Sequence, residues 1–320
     1  MNVDVLISNL TNPVLLFFIL GIFATIVKSD LKIPASSSKF ISLYLLFAIG
    51  FKGGQELSHS TFDTEIVYSI IFAIILSTIV PVYSFFLLKK KVGNPNAGVI
   101  AAAYGSVSAV TFVTAVAFLE NQGISYGGHM VAIMAIMESP AIIVGVVLIV
   151  LFDKTRKENK SIPKLVAHSF TGGSVLMLIG SLVIGLVSNA SQARGIEPFT
   201  TDIFKGFLSL FLLEMGMLTA SRIKGFKKHG IFLFVFGIVI PLLNGVIVAY
   251  FSQYITSSEG NRLLFAILAA GASYIAVPAT MKLAEPRADA GIYVPMALGI
   301  TFPFNITIGM PIYYAVIQMI

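Results

Sequence analysis

The sequence predicts an all-α polytopic membrane protein of ten transmembrane helices, arranged as two inverted five-helix repeats. Three observations predict it. The 320 residues are 57% hydrophobic and only 11% charged, with a mean hydropathy of +0.92, whereas soluble domains run at roughly a quarter charged. Apolar runs of about 20 residues, the length that crosses a hydrocarbon core of about 30 Å, recur along the whole chain. Landmarks of the first half also recur, in the same order, in the second.

The runs fall at approximately 10–27, 37–54, 65–88, 97–119, 127–152, 170–189, 203–221, 229–253, 261–283 and 289–319. The first has neither a basic leader nor an A-x-A cleavage site ahead of it, so it reads as a spanning helix and not a removable signal. The second is cut short by KGGQE, Lys52 to Glu56. Odd-numbered connections carry 17 of the 21 basic residues: Lys28, Lys32 and Lys39; Lys89, Lys90 and Lys91; the cluster from Lys154 to Lys164; Arg222, Lys224, Lys227 and Lys228; Lys282 and Arg287. That asymmetry predicts cytoplasmic odd loops and both termini outside. The net charge of +6 then follows from topology, and no nucleic-acid partner is expected. Lys89 to Lys91 reads as a stop signal at the inner surface, with membrane lipid headgroups as a secondary contact. Cysteine is absent, which excludes a disulfide framework or a thiolate metal site.

The repeat follows from the connection DKTRKENKSIPK, Asp153 to Lys164, which leaves five runs on either side. Residues 1–152 are then a first five-helix repeat, 153–169 a cytoplasmic linker, and 170–320 the second repeat. Pro81 in STIVP matches Pro241 in GIVIP at an offset of 160 residues, and LFAIGFKGG at Leu46 resembles LFLLEMGML at Leu210 at an offset of 164. Gly105 and Thr114 match Gly271 and Thr280, both at 166. A unit with an odd number of spans, repeated once, must re-enter the membrane upside down.

The fourth and ninth spans are the unusual ones. AAYGSVSAVTFVTA, Ala102 to Ala115, and GASYIAVPAT, Gly271 to Thr280, place Gly, Ser, Thr, Tyr and Pro where an unbroken apolar helix would be safest. Irregular backbone at membrane depth is tolerated where it lines a cavity or is buried in protein. In inverted-repeat transporters such discontinuous helices meet at the midplane and aim their N-terminal dipoles at an anion. Gly105 and Gly271 would allow the breaks, and Pro278 adds to the second. Ser106, Ser108 and Thr111 in one segment, and Ser273, Tyr274 and Thr280 in the other, are the candidate binding residues, since hydroxyls serve both anions and cations. The competing reading is plain close packing of small residues.

Two carboxyls lie within spans. Glu138 in MESPA sits near the middle of the fifth and Glu214 in FLLEMGM lies in the seventh. A buried ionisable group in a membrane helix is a functional candidate: Glu138 is read as charge for a coupling cation or as a proton carrier, against a carboxyl bonded to Ser or backbone to hold the bundle. Asn305, after Pro303 in the tenth span, is read as capping or lining the same cavity. His59, His129, His168 and His229 fall at span ends or in loops, which argues against an intramembrane histidine metal site. No HExxH, GxSxG or P-loop pattern is present, so hydrolase or ATP-driven chemistry has no support and no organic cofactor is expected.

Five stretches carry a resemblance: IGFKGGQEL (Ile49 to Leu57), YGSVSAVTFVTAVAFLENQGISY (Tyr104 to Tyr126), MESPA (Met137 to Ala141), MGMLTASRI (Met215 to Ile223) and AAGASYIAVPAT (Ala269 to Thr280). Over nearly its whole length the chain resembles the sodium-dependent bicarbonate transporter family, the SbtA-type permeases. The resemblance implies a gate domain of spans 1, 2, 6 and 7 and a core domain of spans 3–5 and 8–10. It implies an elevator-like movement of the core, a homotrimer in a bacterial inner membrane, uptake of bicarbonate with Na+, and inhibition by a PII-like cytoplasmic regulator. It makes Ser108, Thr111, Glu138 and Ser273 the sodium candidates. The chain departs from the family where the first motif reads SAVT (Ser108 to Thr111), where Tyr274 replaces a common Asp, where Ala276 replaces a Ser, and where Glu138 replaces an Asp. The rival readings are transport of another organic or inorganic anion, a proton-coupled exchanger, and a ligand-sensing membrane protein that signals to a cytoplasmic partner.

Overall fold

In the computed structural model, which describes residues 11–59, 63–153, 172–226 and 230–320, every regular element is a helix. Nearly all of the 153–169 linker, with the face expected to meet a PII-like partner, lies outside the described residues. So do His168, His229, Lys227 and Lys228.

Helix α1 (Pro13–Ile26) begins at Asn12, whose side chain accepts from the Val14 N–H at 2.9 Å; Pro13 occupies the first turn, where no N–H is needed. Helix α2 (Ala35–His59) runs straight through KGGQE, past the boundary expected from the apolar run. Its polar residues are satisfied by other helices. Lys52 Nζ lies 2.7 Å from Glu120 Oε1, and Gln55 Nε2 donates to the Gly185 and Ser188 carbonyls. Gly50 and Gly54 let α2 lie against the backbone of α6 (Gly173–Val187), where a Cβ would collide with the Leu178 and Leu182 carbonyls. With those partners in place the helix has no reason to stop.

Helix α3 (Thr64–Gly105) has 42 residues, about 63 Å if straight, which is twice a bilayer core. It turns at Gly93, whose φ of 79° suits glycine alone, and Pro95 starts its second rod. After a three-residue break comes α4 (Ala109–Gln122), closed by Gly123 at φ 69°, then α5 (His129–Phe152). The second half holds α6, the short α7 (Ala190–Glu197) followed by a π turn, α8 (Phe204–Phe226), α9 (Ile231–Phe251), α10 (Glu259–Ala270) and α11 (Ala276–Ala284). A final run consists of α12 (Ala290–Met296), a π turn, α13 (Phe302–Phe304), a second π turn and α14 (Met310–Gln318).

Among the described residues five helical stretches are long and apolar enough to cross a membrane: Thr64–Gln122, His129–Phe152, Ala190–Ser221, Ile231–Tyr254 and Ala290–Gln318. Pro13–Ile26 and Gly173–Val187 are shorter apolar helices. The most extensive pairings are α3 with α5, α2 with α6, α1 with α8, and α9 with α10. Glycine makes the α1–α8 crossing close: a Cβ on Gly21 would strike the Leu213 carbonyl, and one on Gly216 the Phe18 carbonyl.

Two polar clusters mark opposite ends of the bundle. At one end Arg287 bridges Asp153 at 2.7 Å and Glu285 at 2.6 Å, and Asn96 Oδ1 accepts from the Asp289 N–H at 2.7 Å. The Glu285 hydrogen bonds push the Arg287 guanidinium further above its already high pKa. At the other end Lys52 pairs with Glu120, Lys205 donates to Asn121 at 2.8 Å, and Asn261 donates to Glu65 at 2.9 Å.

Candidate functional site

The two sequence breaks are backbone breaks, and they touch. The first half-helix ends at Gly105, Ser106 to Ser108 are extended or bent, and α4 begins at Ala109. The second interruption runs from Gly271 to Ile275, between α10 and α11. The Ser273 N–H donates to the Ala103 carbonyl across the two segments at 2.8 Å. Gly271 faces the backbone nitrogen of Ser108, which a Cβ would approach to 3.3 Å. Small residues permit this crossing, as they do wherever membrane helices meet backbone to backbone. Pro278 lies in the first turn of α11, where its missing N–H costs nothing; the break itself precedes it.

A cavity of about 40 Å³ sits at the crossing, room for about three waters. Val107 to Val110, Val113, Glu138 and Ser273 to Ala276 line it, and Ser42, Leu45 and Leu46 of α2 with Ser174 of α6 complete the wall. Both α4 and α11 start at this cavity. Ser108 caps α4: its Oγ accepts from the Thr111 N–H at 3.2 Å and from Thr111 Oγ1 at 2.8 Å. Ser273 plays a similar part for α11, accepting from the Val277 N–H at 3.2 Å. Among the described residues no acceptor is paired with the N–H groups of Ala109, Val110, Ile275 or Ala276, and all four residues line the cavity. Unclaimed N–H groups at a helix N-terminus favour an anion.

The side chains at the cavity differ in how they are satisfied. Glu138 projects into it from α5 and makes no ion pair or hydrogen bond among the described residues; the alternative of a carboxyl tied to serine or backbone is not what the geometry displays. The Tyr274 hydroxyl is buried and has no hydrogen-bond partner among the described residues. Ser108, Ser273, Tyr274 and Glu138 therefore share one cavity. Thr111 is one step behind, bonded to Ser108. Ser106 is fully buried beside the break with its Oγ unpartnered, off the cavity wall. Gly105 packs against the Pro81 ring, and Thr280 is buried within α11. Asn305 is also off the wall: its Nδ2 donates to the Ala270 carbonyl at 2.7 Å and its Oδ1 accepts from the Tyr313 hydroxyl at 2.9 Å.

Sequence reasoning missed three contributors. Ser42 and Ser174 form the far wall from helices with no broken motif. Asn244 of α9 donates to the Ala269 carbonyl at 3.2 Å; its only signal was an amide inside the apolar run IVIPLLNGVIV.

No curated protein matches the chain. A family model described as the Na+-dependent bicarbonate transporter superfamily matches residues 13–318. With broken apolar helices meeting at a small cavity that holds serine hydroxyls and Glu138, and that match over nearly the whole length, the chain belongs to the Na+-dependent bicarbonate transporter superfamily, a family of transporters and not of enzymes.

Proposed function

We propose that this protein imports bicarbonate, or another anion of that size, down a sodium gradient, and that the anion sits between the N-termini of α4 and α11. The observation that carries this reading is the set of four unclaimed N–H groups on one small cavity that also holds an unpaired carboxylate. The donors suit an oxyanion. Glu138 would repel the same anion unless a cation lay between them, which is the physical basis for coupling. Ser108, Thr111, Ser273 and Glu138 supply hydroxyl and carboxylate oxygens of the kind a hard cation takes. The size of the cavity favours a three-oxygen anion over a bulky organic acid.

Ten spans in two inverted repeats fit the packing. The repeat offsets relate α1 to α6 and α2 to α8, so the pairs α1–α8 and α6–α2 are one pairing seen twice. We take α1, α2, α6 and α8 as the gate and the other long helices as the core, with the cavity on their boundary and an elevator-like displacement of the core. The basic end, where Arg287 lies, is taken as cytoplasmic in an inner membrane. A homotrimer and a PII-like regulator remain expectations of the family.

The test is labelled-bicarbonate uptake into proteoliposomes with and without an inward sodium gradient. Sodium-driven accumulation supports the reading. Bicarbonate flux that follows a pH gradient and ignores sodium would assign Glu138 to proton carriage instead, and absence of any flux in folded protein would favour a sensor.

A further inference from the structure

A second carboxylate is left over. Glu214 of α8 is 8% exposed, and its Oε2 takes no hydrogen bond among the described residues. It lines a cavity of about 720 Å³ together with Ser38, Lys39, Ser42, Ser174 and Tyr274. Ser42, Ser174, Tyr274 and Ile275 also line the smaller cavity at the crossing, so the two spaces adjoin. The larger one is bounded by Ala35 and Gly173, the first residues of α2 and α6, and therefore lies toward the basic end of the bundle.

We infer that Glu214 and the hydroxyls of Ser38, Ser42 and Ser174 form a second cation station, for a sodium ion in transit between the crossing and the basic end. The inference rests on the sodium-coupled reading above and adds a site on the helices assigned to the gate. A buried carboxylate with an unused oxygen is costly unless it meets a counter-charge. One carboxylate among neutral hydroxyls matches a monovalent ion, and oxygen ligands suit a hard one. Ser38 lines the same cavity as the carboxylate. Tyr274 lines both cavities, so an ion leaving Glu138 has oxygen ligands along the way. Lys39 is exposed on the same cavity. Its ammonium opposes cation binding, and it gives a departing anion a favourable contact in the same passage.

The experiment is equilibrium binding of radioactive sodium to the purified full-length protein in nanodiscs. Glu214→Gln is expected to remove one class of bound sodium or to weaken it by about tenfold or more, while Lys39→Gln tightens the same class by roughly threefold. The double variant Ser38→Ala, Ser174→Ala gives a milder weakening, should Glu214→Gln fail to fold. Unchanged sodium binding in Glu214→Gln protein that elutes and unfolds like the wild type overturns the inference, as does a change confined to the pH profile, which would make Glu214 a proton site. A wild type that binds no sodium at all fails the coupling reading itself; binding that survives Glu214→Gln removes only the second station.

Discussion

Asn305 donates to the carbonyl of Ala270, the last residue of α10, at 2.7 Å, while Asn244 claims the preceding carbonyl of Ala269 at 3.2 Å. A helix C-terminus leaves carbonyls without partners, and here two amides from α9 and the final helical run take them. Helix α10 thus ends with its last two carbonyls satisfied, whereas α11 begins in N–H groups that no acceptor among the described residues takes. Under the proposed reading, this polarity suits an anion at the crossing.

Asn305→Ala would therefore act on stability. It orphans the Ala270 carbonyl and takes a partner from Tyr313, a loss of about 1–3 kcal/mol, seen as a lower unfolding temperature of purified protein. Sodium affinity of the folded fraction is expected to stay unchanged. Normal stability with a lost sodium response would move Asn305 into the ion site.

Glu138→Gln is expected to behave in the opposite way. Removing a carboxylate with no partner among the described residues relieves a desolvation penalty, so unfolding temperature should hold or rise. The half-saturating sodium concentration for uptake should climb by about tenfold or more, as when a metal site loses a supporting ligand. Glu138→Asp, which keeps the charge, should recover part of the response. Reduced stability with intact transport would make the carboxyl structural.

Ser108 has two jobs to separate. Ser108→Ala loses the α4 cap, about 0.5–2 kcal/mol, whereas Ser108→Gly costs the cap only a few tenths of that unit. Both remove the hydroxyl from the cavity. Equal loss of uptake in the two variants assigns the hydroxyl to the cargo; loss in Ser108→Ala alone assigns it to the cap.

The breaks were legible in the sequence because their causes are local: Gly105, the SVS stretch and GASYIAVP each state a departure from helix in their own residues. Glu138 was legible because a carboxyl in an apolar run has few innocent explanations. The reach of α2 through KGGQE was not, since it depends on Glu120, Gly185 and Ser188, which lie 68 to 133 residues away in the chain. For the same reason Asn305 could be read only as capping or lining. Its role is set by a carbonyl on another helix, and the sequence around Asn305 carries no trace of Ala270. Ser42 and Ser174 are ordinary residues until two helices bring them opposite the crossing.

Lys52 and Glu120 bear on the movement itself. Their contact at 2.7 Å joins α2 to α4, with side chains 27% and 29% exposed, and Lys205 reaches Asn121 from α8 at the same end. These contacts tie the proposed gate to the proposed core at one end, while the larger cavity lies toward the other. An elevator-like displacement has to break them. Each partly exposed contact is worth about 0.2–1 kcal/mol, small for stability but enough to shift two nearly balanced states by roughly fivefold. The chain has no native cysteine, so a single Ser42→Cys probe on the cavity wall reports opening without background. In Lys52→Gln, Lys205→Gln protein that probe should react more slowly with a membrane-impermeant maleimide supplied from the basic end, because the population moves away from the state described. Labelling at the unaltered rate would mean that these contacts do not hold the closed end shut.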